Sequence, residues 1–141
     1  MTPLEPRSFL EFRREPRLLN WGEVVAIGAR IPGLTFNSFD EADPAARRTW
    51  SGLRADVIWQ RPLSKKDMVA LGDRAPIGEV LAIHTADLVE KAGWLETEPA
   101  TCFDSPHFSG YPAVLVDLAK ADPQVVYELM SAAAELPPKR A

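Results

Sequence analysis

Apolar positions between residues 20 and 31 recur at helical spacing: Trp21, Val24, Val25, Gly28 and Ile31 form one packing face. Asn20 precedes that run and Glu23 follows it three residues later, a capping-box pattern that predicts the helix start, and Pro32-Gly33 predicts its end. Residues 34–39 alternate loosely and predict a strand, and the polar, proline-containing stretch 41–48 predicts a loop. Residues 49–51, Gly52 and then 54–60 predict a hairpin. In its second arm Ala55, Val57 and Trp59 point one way and Arg54, Asp56, Ile58 and Gln60 the other. Ser64, with Asp67 three positions on, caps a short helix whose apolar contacts are Met68, Val69 and Leu71, and Gly72 closes it. Residues 79–84 predict a strand. Thr85 caps a third helix in which Leu88, Val89, Ala92 and Leu95 share a face.

Two further strands, 101–104 and 113–118, are joined by Ser-Pro-His-Phe-Ser-Gly-Tyr-Pro, a connection long for a hairpin and expected to protrude as a structured turn. Asp122 followed by Pro123 starts the last helix, which turns Val125, Val126, Leu129, Met130 and Ala133 inward and stops at Pro137-Pro138. The order α-β-β-β-α-β-α-β-β-α predicts an α+β fold: a mostly antiparallel sheet with helices packed on one face. Residues 1–19, with three prolines and no sustained apolar period, are read as an extension, 20–136 as the domain and 137–141 as a basic tail.

Composition narrows the setting. Cys102 is the only cysteine, which excludes an intrachain disulfide; with no secretory pattern in the opening residues, it places the chain in a reducing, cytoplasmic compartment. No apolar run approaches the ~18 residues of a membrane span, so no membrane partner is expected. The net charge of −4 argues against a polyanionic partner, but the charge is unevenly spread. Residues 44–78 carry seven basic and three acidic side chains, whereas 79–136 carry two basic and ten acidic. Only the middle of the chain suits a polyanion. Arg47, Arg48, Arg54, Arg61, Lys65 and Lys66 are its candidate phosphate contacts; Trp50, beside the first two, is a candidate stacking platform, while Trp21 and Trp59 are expected to pack in the core. An ordinary solvated face is the competing explanation for the cations.

Other chemistry is sparse. His107 and Tyr111 bracket the turn of the long connection and form either a ligand-contacting pair or a structural loop, stiffened by Pro106 and Pro112 with Gly110 at positive φ. Asp104, Ser105 and His107 are adjacent in one loop, whereas a catalytic triad converges from separate elements. Cys102, His84 and His107 lack the spacing of a zinc site, and no glycine-rich phosphate loop occurs. Neither a metal, a cofactor nor an enzymatic activity is expected. Cys102 suits a small buried apolar position and His84 a hydrogen-bonded strand end.

Three segments together resemble the YjbR/MmcQ family: Trp59-Gln60-Arg61-Pro62, the run 103–116 with its Pro106-His107-Phe108-Ser109-Gly110-Tyr111-Pro112 signature, and Pro138-Lys139-Arg140. Residues 31–35 also fit the family's start, so the resemblance covers roughly residues 20–140. It implies a CyaY-like fold and a "double wing" of two protruding hairpins that contacts DNA, the first wing spanning residues 48–54. Leu53 stands where the family carries a lysine. The function this implies is non-enzymatic DNA binding through the basic first hairpin. The alternative is a protein-interaction or small-ligand module that uses the His107–Tyr111 loop and the acidic C-terminal half.

Overall fold

The computed structural model describes residues 15–139. Its elements run α1 (Trp21–Ala29), β1 (Thr35–Phe36), β2 (Thr49–Ser51), β3 (Ile58–Gln60), α2 (Lys65–Leu71), β4 (Val80–His84), α3 (Leu88–Thr97), β5 (Cys102–Phe103), β6 (Ala113–Asp117) and α4 (Pro123–Ala134). The six strands form one antiparallel sheet in the order β1-β2-β3-β4-β6-β5. The element order and the α+β class match the sequence expectation. The strands at both edges are only two residues long, which leaves little unpaired backbone to recruit another strand.

Alternation along the two central strands divides the interior. Leu81 and Ile83 of β4 and Val114 and Val116 of β6 face α1 and α4, and all four are fully buried there. The inward residues of α4, Val125, Val126, Leu129, Met130 and Ala133, are buried as its period predicts, and Val24 and Gly28 of α1 meet them. Burying a Leu, Ile or Met side chain is worth roughly 1.5–3 kcal/mol, so this layer supplies most of the stabilisation. Val80, Ala82, Ala113 and Leu115 face the other way, where Phe108, Trp59 and Phe103 cover them.

Local signals hold where caps are concerned. Asn20 accepts from the Glu23 N–H at 2.8 Å and Glu23 accepts from the Asn20 N–H at 3.0 Å, which completes the capping box. Ser64 and Asp122 cap α2 and α4 as expected. The third helix is capped by Asp87 rather than Thr85, whose hydroxyl donates to the Asp87 carbonyl. In the second arm of the hairpin, Asp56 at φ 50° turns the chain before β3, so Val57 joins Ile58 in the core while Trp59 lies on the opposite face. The expected pairing of Val57 with Trp59 on one side is therefore overturned.

The first wing and the 105–112 connection are docked rather than protruding. At the tip of the first, a Cβ on Gly52 would meet the Ala134 carbonyl oxygen at 2.7 Å, so the hairpin lies against the end of α4, and Arg54 Nε donates to the Pro137 carbonyl at 2.9 Å. The 105–112 connection, expected to protrude, folds back over the sheet, with Phe108 only 5% exposed. The last residues of the N-terminal extension lie on the domain. Residues 1–14 lie outside the described residues, but Arg17 bridges Ala121, and Leu19 is buried in the core with its N–H on the Leu118 carbonyl.

The close approach at Gly52 gives an expected outcome. Gly52→Ala forces two backbones apart and costs about 1–3 kcal/mol. Gly93→Ala in α3, where nothing lies within 4 Å of a new Cβ, gains roughly 0.5–1 kcal/mol from helix propensity. Urea titration of the two variants checks the pair; equal stabilities would mean that the hairpin tip is not seated on α4.

Candidate functional site

Between β2–β3 and the 105–112 connection lies a cleft of about 620 Å³, within the usual range for small-molecule sites. Thr49 and Trp59 are cross-strand partners on the same sheet face and form one side. His107, Phe108 and Tyr111 form the other, and Arg47, Gln60, Arg61 and Pro62 complete the rim. The cleft thus joins two regions read separately in the sequence, the basic hairpin and the signature loop.

What holds the loop there is a pair of buried charged residues that hydropathy gave no reason to place inside. Lys91 of α3 is 4% exposed, and its Nζ donates to the Phe108 carbonyl at 2.6 Å and the Tyr111 carbonyl at 2.7 Å, and pairs with Asp104 at 3.0 Å. Three N–H donors meet three acceptors, the condition under which a buried ammonium is tolerated. Asp67 of α2 is 3% exposed and accepts the Ser105 hydroxyl at 3.4 Å and the His107 backbone N–H at 3.3 Å. The apolar faces predicted for these two helices are corrected accordingly. Val69 is 76% and Val89 81% exposed, because both helices turn a charge toward the loop. Gly110 adopts φ 80°, the conformation the turn reading required.

Behind the loop, His84 ends β4 with its ring 5.0 Å from Trp59 and its Nε2 3.5 Å from the Tyr111 hydroxyl. Burial chiefly, and then the positive charges of Lys139 and Arg54, lower the His84 pKa below its ordinary 6.5, against a weaker pull from the Pro112 backbone. Cys102 is buried, and its thiol is pushed up to about 12 by burial and by Glu98, which makes it an inert packing group at neutral pH. Asp104, Ser105 and His107 form no Ser-His-Asp array. What His107 gives Asp67 is its backbone N–H, and the Asp104 carboxylate is engaged by Lys91 and by the Ser105 N–H. Among the described residues no group of three or more His, Cys, Asp or Glu side chains is placed to hold a metal ion. None of the described helices is long and apolar enough to cross a membrane.

The candidate phosphate contacts disperse. Arg47 and Arg61 line the cleft, Arg61 with its guanidinium 5.4 Å above the Phe108 ring. Arg48 instead lies over Trp21 and Phe39 at 4.9 and 4.4 Å and donates to Gln60 Oε1. Arg54 is bound to the Pro137 carbonyl, and Lys65 and Lys66 stand exposed at the start of α2. Trp50 is 1% exposed, with Phe36 tilted against its ring and Gly28 beneath, which corrects its assignment as a stacking platform. Trp59, expected in the core, is only half-buried and reaches the cleft. Of the signature residues, Pro106 opens the short helical turn Pro106–Phe108, and Pro112 accepts the Thr85 N–H.

The lowered His84 pKa has a definite sign. The unfolded chain takes up a proton near pH 6.5 and the folded chain only at lower pH, so stability contributed by neutral His84 is complete above 6.5 and declines as pH falls toward the folded value. Glu23, held below 4.5 chiefly by the Asn20 N–H and then by Arg17, acts in a separate, more acidic window. Urea midpoints between pH 7.5 and 5 should fall more steeply for the wild type than for His84→Gln; parallel curves would contradict the assignment.

Comparison with known proteins places the chain among relatives. Uncharacterized protein Rv2570 of Mycobacterium tuberculosis and uncharacterized protein Mb2600 of Mycobacterium bovis are each 34% identical to it over 119 residues, covering 82% of this chain and 86% of each relative. No model of a known family matches the sequence. No solved structure matches it. At that identity and coverage, the chain belongs to the family that includes these mycobacterial proteins.

Proposed function

We propose that the chain is a binding module for a small anionic ligand, held in the cleft between β2–β3 and the 105–112 loop. The observation that carries this is the charge of the lining: Arg47 and Arg61 are present, and no carboxylate is found among the described lining residues, in a chain of net charge −4. A locally positive concavity attracts anions. Half-buried Trp59 and the Tyr111 side chain add apolar contact area.

DNA binding through the first hairpin, which the resemblance to the YjbR/MmcQ family implies, draws less support. It calls for Arg47, Arg48 and Arg54 on one free surface, whereas Arg48 is packed on two rings and Arg54 on the C-terminal segment. Arg47 and Arg61 alone would release few counterions. The two readings separate in one titration series. Pyrophosphate should raise the melting temperature of the wild type but not of the Arg47→Ala/Arg61→Ala double variant. A labelled random duplex should bind weakly, with a log–log salt slope of about −2 or shallower. A slope of about −4 or steeper, blunted by charge reversal at Arg47, Arg48 and Arg54, would restore the DNA reading and sink the cleft.

A further inference from the structure

Resting on that cleft as the binding site, we infer that its ligand is a phosphate monoester attached to a planar ring, of the nucleoside monophosphate class. The hydrogen-bonding character of the lining carries the inference. Thr49 Oγ1 accepts from Asn37 Nδ2 at 2.8 Å and keeps its hydroxyl proton to donate and one lone pair to accept with. Gln60 Oε1 accepts from both the backbone N–H and the guanidinium of Arg48, each at 3.1 Å, so its amide is turned with Arg48 to the other face of the sheet and offers the cleft nothing. Arg47 spends one guanidinium nitrogen on the Pro44 and Ala46 carbonyls, and Arg61 one on the Pro62 carbonyl; the other nitrogens of each are donors only.

Arg47 and Arg61 therefore only donate, both are cations, and the Thr49 hydroxyl can donate beside them. A dianion with three terminal oxygens satisfies that set. A carboxylate, with one charge, neutralises only one of the two cations. A free phosphate would in turn leave the other half of the cleft unused. Trp59 and Tyr111 present ring surface beside the arginines, and stacking a planar ring on such surface is worth roughly 1–3 kcal/mol. A ring joined to a phosphate engages both halves, and each half raises the affinity of the other through effective concentration.

Calorimetric titration of the full chain tests this with adenosine and guanosine 5′-monophosphates, the matching nucleosides, ribose 5-phosphate, inorganic phosphate and 4-hydroxybenzoate. At least one mononucleotide is expected to bind about tenfold or more tighter than its nucleoside and than ribose 5-phosphate. Arg61→Gln and Arg47→Ala should each weaken that mononucleotide about tenfold, while circular dichroism and melting temperature stay unchanged. If 4-hydroxybenzoate binds as tightly as any mononucleotide and depends on the same arginines, the ligand class is wrong although the cleft stands. Ribose 5-phosphate binding as tightly as the mononucleotides would remove the ring from the account. If no probe binds, or binding ignores both arginines, the cleft reading itself falls.

Discussion

Everything distinctive about this fold depends on two charged side chains buried beneath one loop. Leaving a lysine ammonium or an aspartate carboxylate inside without partners costs several kcal/mol. Lys91 and Asp67 meet that cost by bonding the segment that buries them. Lys91 takes the Phe108 and Tyr111 carbonyls and the Asp104 carboxylate, and Asp67 takes the Ser105 hydroxyl and the His107 N–H. The charges need the loop as acceptor and donor, and the loop needs the charges to lie flat on the sheet. Phe108 is thereby pressed onto Val80, Ala82, Ala113 and Leu115, and the second face of the sheet becomes a core.

That clamp also makes the cleft. With the loop folded back instead of protruding, His107 and Tyr111 stand opposite Thr49 and Trp59, and the arginines at the ends of β2 and β3 find a concave wall. Docking of the first hairpin works to the same end. Because Gly52 admits the Ala134 backbone and Arg54 holds the Pro137 carbonyl, the hairpin is fixed against α4 and presents a rigid side wall. The site thus draws on two separate segments, each held by contacts outside it, which is the usual condition for a preorganised binding geometry.

The sequence was legible where local physics decides. Caps at Asn20, Ser64 and Asp122, the inward stripe of α4, the strands of residues 49–51 and 113–117 and the positive φ of Gly110 follow from neighbours a few residues apart. It misled where a distant partner decides. Val69 and Val89 read as core and face solvent; Asp67 and Lys91, which no apolar pattern singles out, lie inside. No pattern within α2 or α3 could reveal this, because the partners that make burial tolerable lie 13 to 40 residues away. The cleft was half legible: both the cations and the signature loop were singled out, but that Arg47 and Arg61 would join the loop while Arg48 and Arg54 turned elsewhere is a property of the tertiary packing.

The direct test is native-state hydrogen exchange, read residue by residue in the wild type and in Lys91→Met. If the buried ammonium holds the loop, the Phe108 and Tyr111 amides exchange in the wild type only by the opening that exposes β4 and β6. In the variant they should exchange by a separate, lower-energy local opening while the central strands keep their protection. Equal loop protection in the two proteins would contradict the account, since the loop would then be held by its own turns and by Phe108 packing alone.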